Sequence, residues 1–204
     1  ECIDLCQSFG IDGLLISVSR ETKTIDHFSP LTKNGIPVVF VDRVIQEANN
    51  ATVVINDFDA AFNAVNHLAK KHYQKIAGVF ASENLRITQQ RKAGFKAALQ
   101  KHDLPYYEEF CFHTHSTKVA KEQFRQLLKQ AEKPDAVFTM SDELLTSIIQ
   151  VVYEEGLNSP KDIAIISISN GYLPYYLNPK ITFIKHAGYR IGQAAANLLV
   201  ESSV

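Results

Sequence analysis

Residues 135–171, DAVFTMSDELLTSIIQVVYEEGLNSPKDIAIISISNG, constrain the fold more than any other stretch of the chain. The run 136–140 is apolar and uncharged, which predicts a strand buried on both faces. Ser141 and Asp142 follow, and either can cap a helix through a side-chain oxygen. Leu145, Ile148, Ile149, Val152 and Tyr153 then recur at helical spacing, with Gly156 placed to end the helix. Pro160 blocks any continuation, and 163–168 predicts a second buried strand. Strand, helix, strand is a parallel pair joined by a crossover. It leaves Ser141 and Asp142 after one strand and Ser169 and Asn170 after the other. In open α/β sheets that carboxyl edge is where ligands bind. Each pair also has a plainer reading, Asp142 as a helix cap alone and Ser169–Asn170–Gly171 as a turn alone.

The same alternation runs from end to end. A helix tail over 1–9 stops at Gly10, and 14–18 predicts a strand. A helix is expected over 22–33, weakened by Pro30, before the apolar strand 37–41 with Asp42 and Arg43 at its carboxyl end. The polar loop 46–50 leads to a short strand at 52–55. From Asp57 a helix to about Lys71 carries Phe58, Ala61, Phe62, Val65 and Leu68 on one face. Strands at 75–80 and 109–112 flank a helix at 86–101, and a helix at 117–130 precedes the unit already described. A strand at 182–185 and a closing helix over 191–200 complete the pattern. Strands alternating with helices of this length predict an α/β fold with parallel sheets flanked by helices.

Composition removes several function classes. A net charge of −1 provides no overall basic field to recruit nucleic acid to this segment. Cys2, Cys6 and Cys111 show no C-x-x-C spacing, and their odd number points to a reducing, cytoplasmic setting. Cys2 and Cys6, one helical turn apart, read most simply as core residues. No apolar run reaches membrane-spanning length, so no membrane partner is expected. No G-x-S-x-G, G-x-x-x-x-G-K-[ST] or G-x-G-x-x-G occurs, which disfavours an enzyme and leaves no catalytic residue to name. Cys111, His113 and His115 alternate, but no further ligand accompanies them, so neither metal nor cofactor is expected.

Seven pieces carry a resemblance in order across nearly the whole chain: GIDGLLI at 10–16, IPVVFVDR at 36–43, VINDFDAAFNAVNHL at 54–68 with YQKIA at 73–77, RKAGFKAAL at 91–99, 135–142 with EGLNSPKDIAIISI at 155–168, 181–185, and 191–199. The chain resembles the effector-binding domain of LacI/GalR-family transcriptional regulators, which is similar in fold to periplasmic sugar-binding proteins. The resemblance implies a two-lobed, periplasmic-binding-protein-like fold with a cleft. One lobe, incomplete, would hold 1–57 plus 187–204, and the other 58–186. Family members carry an N-terminal helix-turn-helix, so a piece of a longer regulator is expected, truncated at both ends. Its expected partners are a sugar, sugar phosphate or nucleobase effector, operator DNA through the N-terminal domain, and a second copy in a homodimer. A periplasmic sugar-binding protein of a transporter is the alternative.

For the site, the resemblance implies ligand roles for Arg91, at the family position that grips the effector, for Asp42, and for Ser141 and Asp142, where many members carry Asn-Asp. Planar, multivalent groups of this kind suit ligands with hydroxyls in fixed directions. Ser169 stands where many members place an Asp, and Asn170, Asn56 and His115 complete the candidate set. His186 replaces a usual Gln. Without the resemblance, Arg91 would read as a surface charge and Asp42 as a partner of Arg43. On the ligand reading, Arg91→Ala is expected to lose the effector and keep its melting temperature. The tyrosines at 172, 175 and 176 read as a loop anchor or as a platform at the cleft mouth.

Overall fold

A computed structural model describes residues 2–19, 21–44 and 51–202. In chain order the elements begin with α1 (Cys2–Ser8), β1 (Leu14–Ile16), α2 (Ser29–Lys33), β2 (Val38–Val41) and β3 (Thr52–Val53). Then come α3 (Asp57–Lys70), β4 (Ile76–Phe80), α4 (Arg86–Lys101), β5 (Cys111–His113) and α5 (Thr117–Leu128). The last are β6 (Ala136–Thr139), α6 (Asp142–Glu154), β7 (Ala164–Ser169), α7 (Tyr172–Tyr176), β8 (Thr182–Lys185) and α8 (Gly188–Ser202). The chain divides into two compact units: Glu1–Ile55 with Asn84–Ile87 and Ala187–Val204, and Asn56–Glu83 with Thr88–His186.

In the first unit β1, β2 and β3 form a parallel sheet in that order, with Leu14 opposite Val38 and Phe40 opposite Thr52. Val18, Phe28, Leu31, Val38, Phe40 and Val44 make its core, and the Phe28 and Phe40 rings meet edge-on at 5.3 Å. The helix expected over 22–33 is much shorter. A 3₁₀ turn at Asp26–Phe28 precedes α2, and Pro30 lies in the first turn of α2. Proline lacks an amide hydrogen, so it is tolerated only where that hydrogen has no helical partner; Pro30 therefore sets the start of the helix instead of weakening its middle. The polar loop at 46–50 lies outside the described residues.

The second unit has the order β5-β4-β6-β7-β8, and every pairing is parallel. β4, β6 and β7 are buried along their whole length, as their uncharged sequences require, while β5 and β8 are half-exposed edges. Counted within this unit, the strands run 2-1-3-4-5, so the order reverses between β4 and β6. The Asp135 carboxylate sets the register there, accepting the amides of Gln74 at 2.8 Å and Lys75 at 3.0 Å. The strand expected at 109–112 begins later, because Glu108–Phe110 form a 3₁₀ turn ahead of β5.

The R-K-A-G-F segment has a packing role that its sequence does not announce. A Cβ at Gly94 would lie 2.1 Å from the Phe58 carbonyl oxygen, so α4 approaches α3 closer than any side chain permits. Phe95 beside it is fully buried against Phe80 and Phe138, at centroid distances of 5.6 and 5.9 Å. Each such ring, moved out of water, contributes about 1.5–3 kcal/mol. Gly156 ends the turn after α6 at φ +70°, as the sequence predicts.

Candidate functional site

The reversal between β4 and β6 is the place where an open parallel sheet parts its crossovers to either side, leaving a gap at the carboxyl ends. In the second unit that edge is formed by Phe80–Ala81, Thr139–Ser141 and Ser169–Gly171. Arg91 stands on the second turn of α4 with only 3 % exposure. Its Nε donates to Asp57 Oδ1 at 2.8 Å, and Nη1 donates to the Met140 carbonyl at the end of β6. Nη2 lies 2.7 Å from the same Asp57 oxygen, yet its N–H bonds do not point at that oxygen and find no acceptor among the described residues. It is an ion-pair contact with donors to spare.

This corrects one expectation. Arg91 is not a surface charge, and its guanidinium does not stand free of the protein. It is half of a buried ion pair whose other half, Asp57, is 6 % exposed. Removing one member of such a pair strands the other, at about 3–5 kcal/mol, so Arg91→Ala will not keep its melting temperature. Sequence reading missed Asp57, treating it only as the start of a helix. The signal was present: Asp57 precedes Ala61, Ala64 and Leu68 on the buried face of α3.

Asp142 opens α6. Its Oδ2 accepts the Asn170 amide at 3.3 Å, tying the end of β6 to the end of β7, while its Oδ1 is buried with no partner among the described residues. The Thr139 hydroxyl, at the carboxyl end of β6, is buried and partnerless as well. A buried acceptor without a donor costs about 1–3 kcal/mol, so each of these two atoms is an unsatisfied group on the edge. Ser141 is the N-cap of α6, its oxygen 3.5 Å from the Leu144 amide. Ser169 is 1 % exposed, and its hydroxyl accepts the Gly171 amide at 3.0 Å. Asn170 accepts the Tyr172 amide at 2.8 Å through its side chain. Ser169 and Asn170 therefore make the turn that the plainer reading described, and the turn sets up α7, where the tyrosines lie.

The remaining candidates lie on other elements. Asn56 is exposed and caps α3, with Oδ1 accepting the Asp59 amide at 3.0 Å and Nδ2 donating to Asp59 Oδ2 at 2.6 Å. Both ends of its amide are occupied by the cap. Asp42 belongs to the first unit, just past β2, at φ +60° with its amide donating to Val53. His115 is exposed beyond β5. His113 bonds the Ala81 carbonyl through Nδ1 at 2.9 Å and meets Glu83 and Lys92 through Nε2, both at 2.9 Å. The Lys92 ammonium beside Glu83 holds that carboxyl below its ordinary range. Among the described residues no group of three His, Cys, Asp or Glu could hold a metal ion, and no helix is long and apolar enough to cross a membrane.

Comparison with known proteins agrees with this architecture. Residues 65–202 match the profile of the periplasmic binding protein-like domain, more than half of the chain. Among curated relatives, the HTH-type transcriptional repressor PurR of Actinobacillus pleuropneumoniae serotype 3 (strain JL03) is 26% identical over 98% of this chain and 59% of its own length. Catabolite control protein A of Priestia megaterium is 29% identical, over 94% of this chain and 58% of its own. The chain thus spans less than two thirds of the length of these relatives. The solved structure of the transcription regulator CcpA of Lactococcus lactis superposes with a TM-score of 0.88 at 21% identity, covering 99% of this chain and 73% of that one. A CelR–cellobiose complex superposes at 0.87 with 21% identity, covering 99% of this chain and 62% of that one. The chain belongs to the family of periplasmic binding protein-like domains, as the effector-binding domains of LacI/GalR-family transcription regulators do.

Proposed function

We propose that this chain is the effector-sensing part of a bacterial cytoplasmic transcription regulator, that it is not an enzyme, and that its ligand is a small sugar, sugar phosphate or nucleobase. The observation that carries the reading is the buried, partnerless Asp142 Oδ1 just past the end of β6, on the same sheet edge that holds the partnerless Thr139 hydroxyl. A carboxylate oxygen and a hydroxyl without protein partners at a sheet's carboxyl edge suit a ligand that brings its own hydroxyl or N–H donors. Arg91 has a positioning task in this reading. By binding Asp57 and the Met140 carbonyl it fixes the end of β6, and with it the position of Asp142.

Asp42 of the first unit is proposed as a further ligand group. A ligand that binds one arrangement of the two units better than another shifts the population toward it, by no more than its difference in affinity. Operator DNA, bound through a helix-turn-helix, and a second copy of the chain are the partners this mechanism requires. One relative that supports it is named as an HTH-type transcriptional repressor. The test is a thermal-shift screen of sugars, sugar phosphates and nucleobases against the parent and Asp142→Ala. A ligand at a hundred times its Kd stabilises the parent by about 2.7 kcal/mol. The reading expects at least one such ligand and its loss in Asp142→Ala; equal stabilisation of both proteins overturns the site.

A further inference from the structure

We infer that the second unit carries a separate binding site for a small organic anion with an apolar body, at the opposite edge of its sheet. A cavity of about 280 Å³ opens where β7 and β8 begin, bounded by the end of α3. β7 rises about 3.3 Å per residue, so this cavity and Ser169 sit about 16 Å apart along the strand. Ile165 and Ile181, 5 % and 7 % exposed, give the cavity its apolar wall, while Lys71, Lys180, His67 and Ser159 line its polar side. Among the described residues no carboxylate lines it.

Three features separate this cavity from an ordinary surface dent. The first is uncompensated charge. Neither Lys71 nor Lys180 has a carboxylate partner among the described residues, and Lys180 is placed over the Tyr175 ring, 5.9 Å from its centroid. The second concerns the end of α3. Helix carbonyls attract nearby ammonium groups, but here the backbone already occupies them: the Lys71 amide bonds Ala69, His67 and Leu68, and the His72 and Tyr73 amides bond Ala69 and Leu68. The Lys71 side chain is therefore available to a ligand. The third is Ser159, 8 % exposed, which lines the cavity and whose hydroxyl makes no hydrogen bond among the described residues. A hydroxyl donor lining the same cavity as two lysines is suited to an anion's oxygen. The volume lies just under the roughly 300 Å³ at which sites for drug-sized ligands begin, which limits the ligand to about the size of an aryl or short alkyl phosphate or carboxylate.

The probe is phenyl phosphate, followed by amide NMR shifts on the parent chain. Saturable shifts centred on His67, Lys71 and Lys180 are expected, with affinity falling about tenfold in Lys71→Ala/Lys180→Ala. Both lysines are exposed, so that variant should keep the parent's circular dichroism and melting temperature. Ser159→Ala is a second, independent variant that should weaken binding without removing it. Inorganic phosphate should bind at least tenfold more weakly than phenyl phosphate for want of an apolar body, and benzyl alcohol should not bind. Benzoate binding as well as phenyl phosphate makes the ligand a general anion, while phosphate selectivity narrows it to phosphate esters; both outcomes support the site. No saturable shift, unchanged affinity in the double variant, or shifts centred on Asp142 and Ser169 overturns it.

Discussion

Replacing Arg91 with alanine tests the physical reasoning about the site most sharply, because two readings of the same residue predict opposite results. A solvated or ligand-reaching arginine could be removed at almost no cost in stability. The observed Arg91 is 3 % exposed and paired with an Asp57 that is 6 % exposed. Truncation leaves that carboxylate buried without its cation and removes the donor to the Met140 carbonyl. Stranding one member of a buried pair costs about 3–5 kcal/mol. In a protein of this size each kcal/mol moves Tm by about 2–4 °C, so the expected fall is about 6–20 °C. The assay is thermal unfolding followed by far-UV circular dichroism. If two transitions are seen, the loss belongs to the one carrying the second unit. The double variant Asp57→Asn/Arg91→Met should recover much of the loss, since the penalty comes from the orphaned charge. A single variant within about 1 °C of the parent, or a double variant worse than both singles combined, would refute this account.

Asp142→Ala should leave unliganded stability within about 1 kcal/mol of the parent, because the lost helix-start carboxylate is offset by relief of an unsatisfied oxygen; chemical denaturation measures this. Gly94→Ala places a Cβ 2.1 Å from the Phe58 carbonyl and should lower stability by about 1–3 kcal/mol or more, read from the denaturant midpoint. Burial pushes the Cys111 thiol up from 9.0 to about 11, so below about 1 % of it is thiolate at pH 8.5 and it should react with iodoacetamide far more slowly than Cys6. The sign for stability follows: unfolding releases the Cys111 proton more easily, so its contribution is intact below pH 9 and is lost between about 9 and 11. That loss is about 3 kcal/mol, and Cys111→Ala should flatten this limb of the pH profile.

How far the fold could be read from residues depended on how many constraints acted on each stretch. β4, β6 and β7 were legible because a strand buried on both faces allows no charge, and 136–140 and 163–168 have none. α4 and β8 were found at their observed bounds, Arg86–Lys101 and Thr182–Lys185. Residues 22–33 suggest one helix with Pro30 as a flaw inside it, whereas the fixed backbone angle of Pro30 suits the first turn of a shorter one. β5 was placed early because the 3₁₀ turn at Glu108–Phe110 buries Phe110 in the same way a strand would. At the site, sequence brought Arg91, Ser141, Asp142 and Ser169 to one edge of one sheet. It did not reveal which polar atoms satisfy each other. Asp57 pairs with Arg91 across 34 residues, and only packing of α3 against α4 through Gly94 brings them together.

Hydrogen exchange of backbone amides, with and without the ligand that the thermal screen selects, tests the central claim most directly. If the ligand is held at the carboxyl edge of β6 and β7, protection should rise at residues 140–144 and 169–172 and be absent in Asp142→Ala. Binding that leaves those amides unchanged while protecting residues elsewhere would contradict the account.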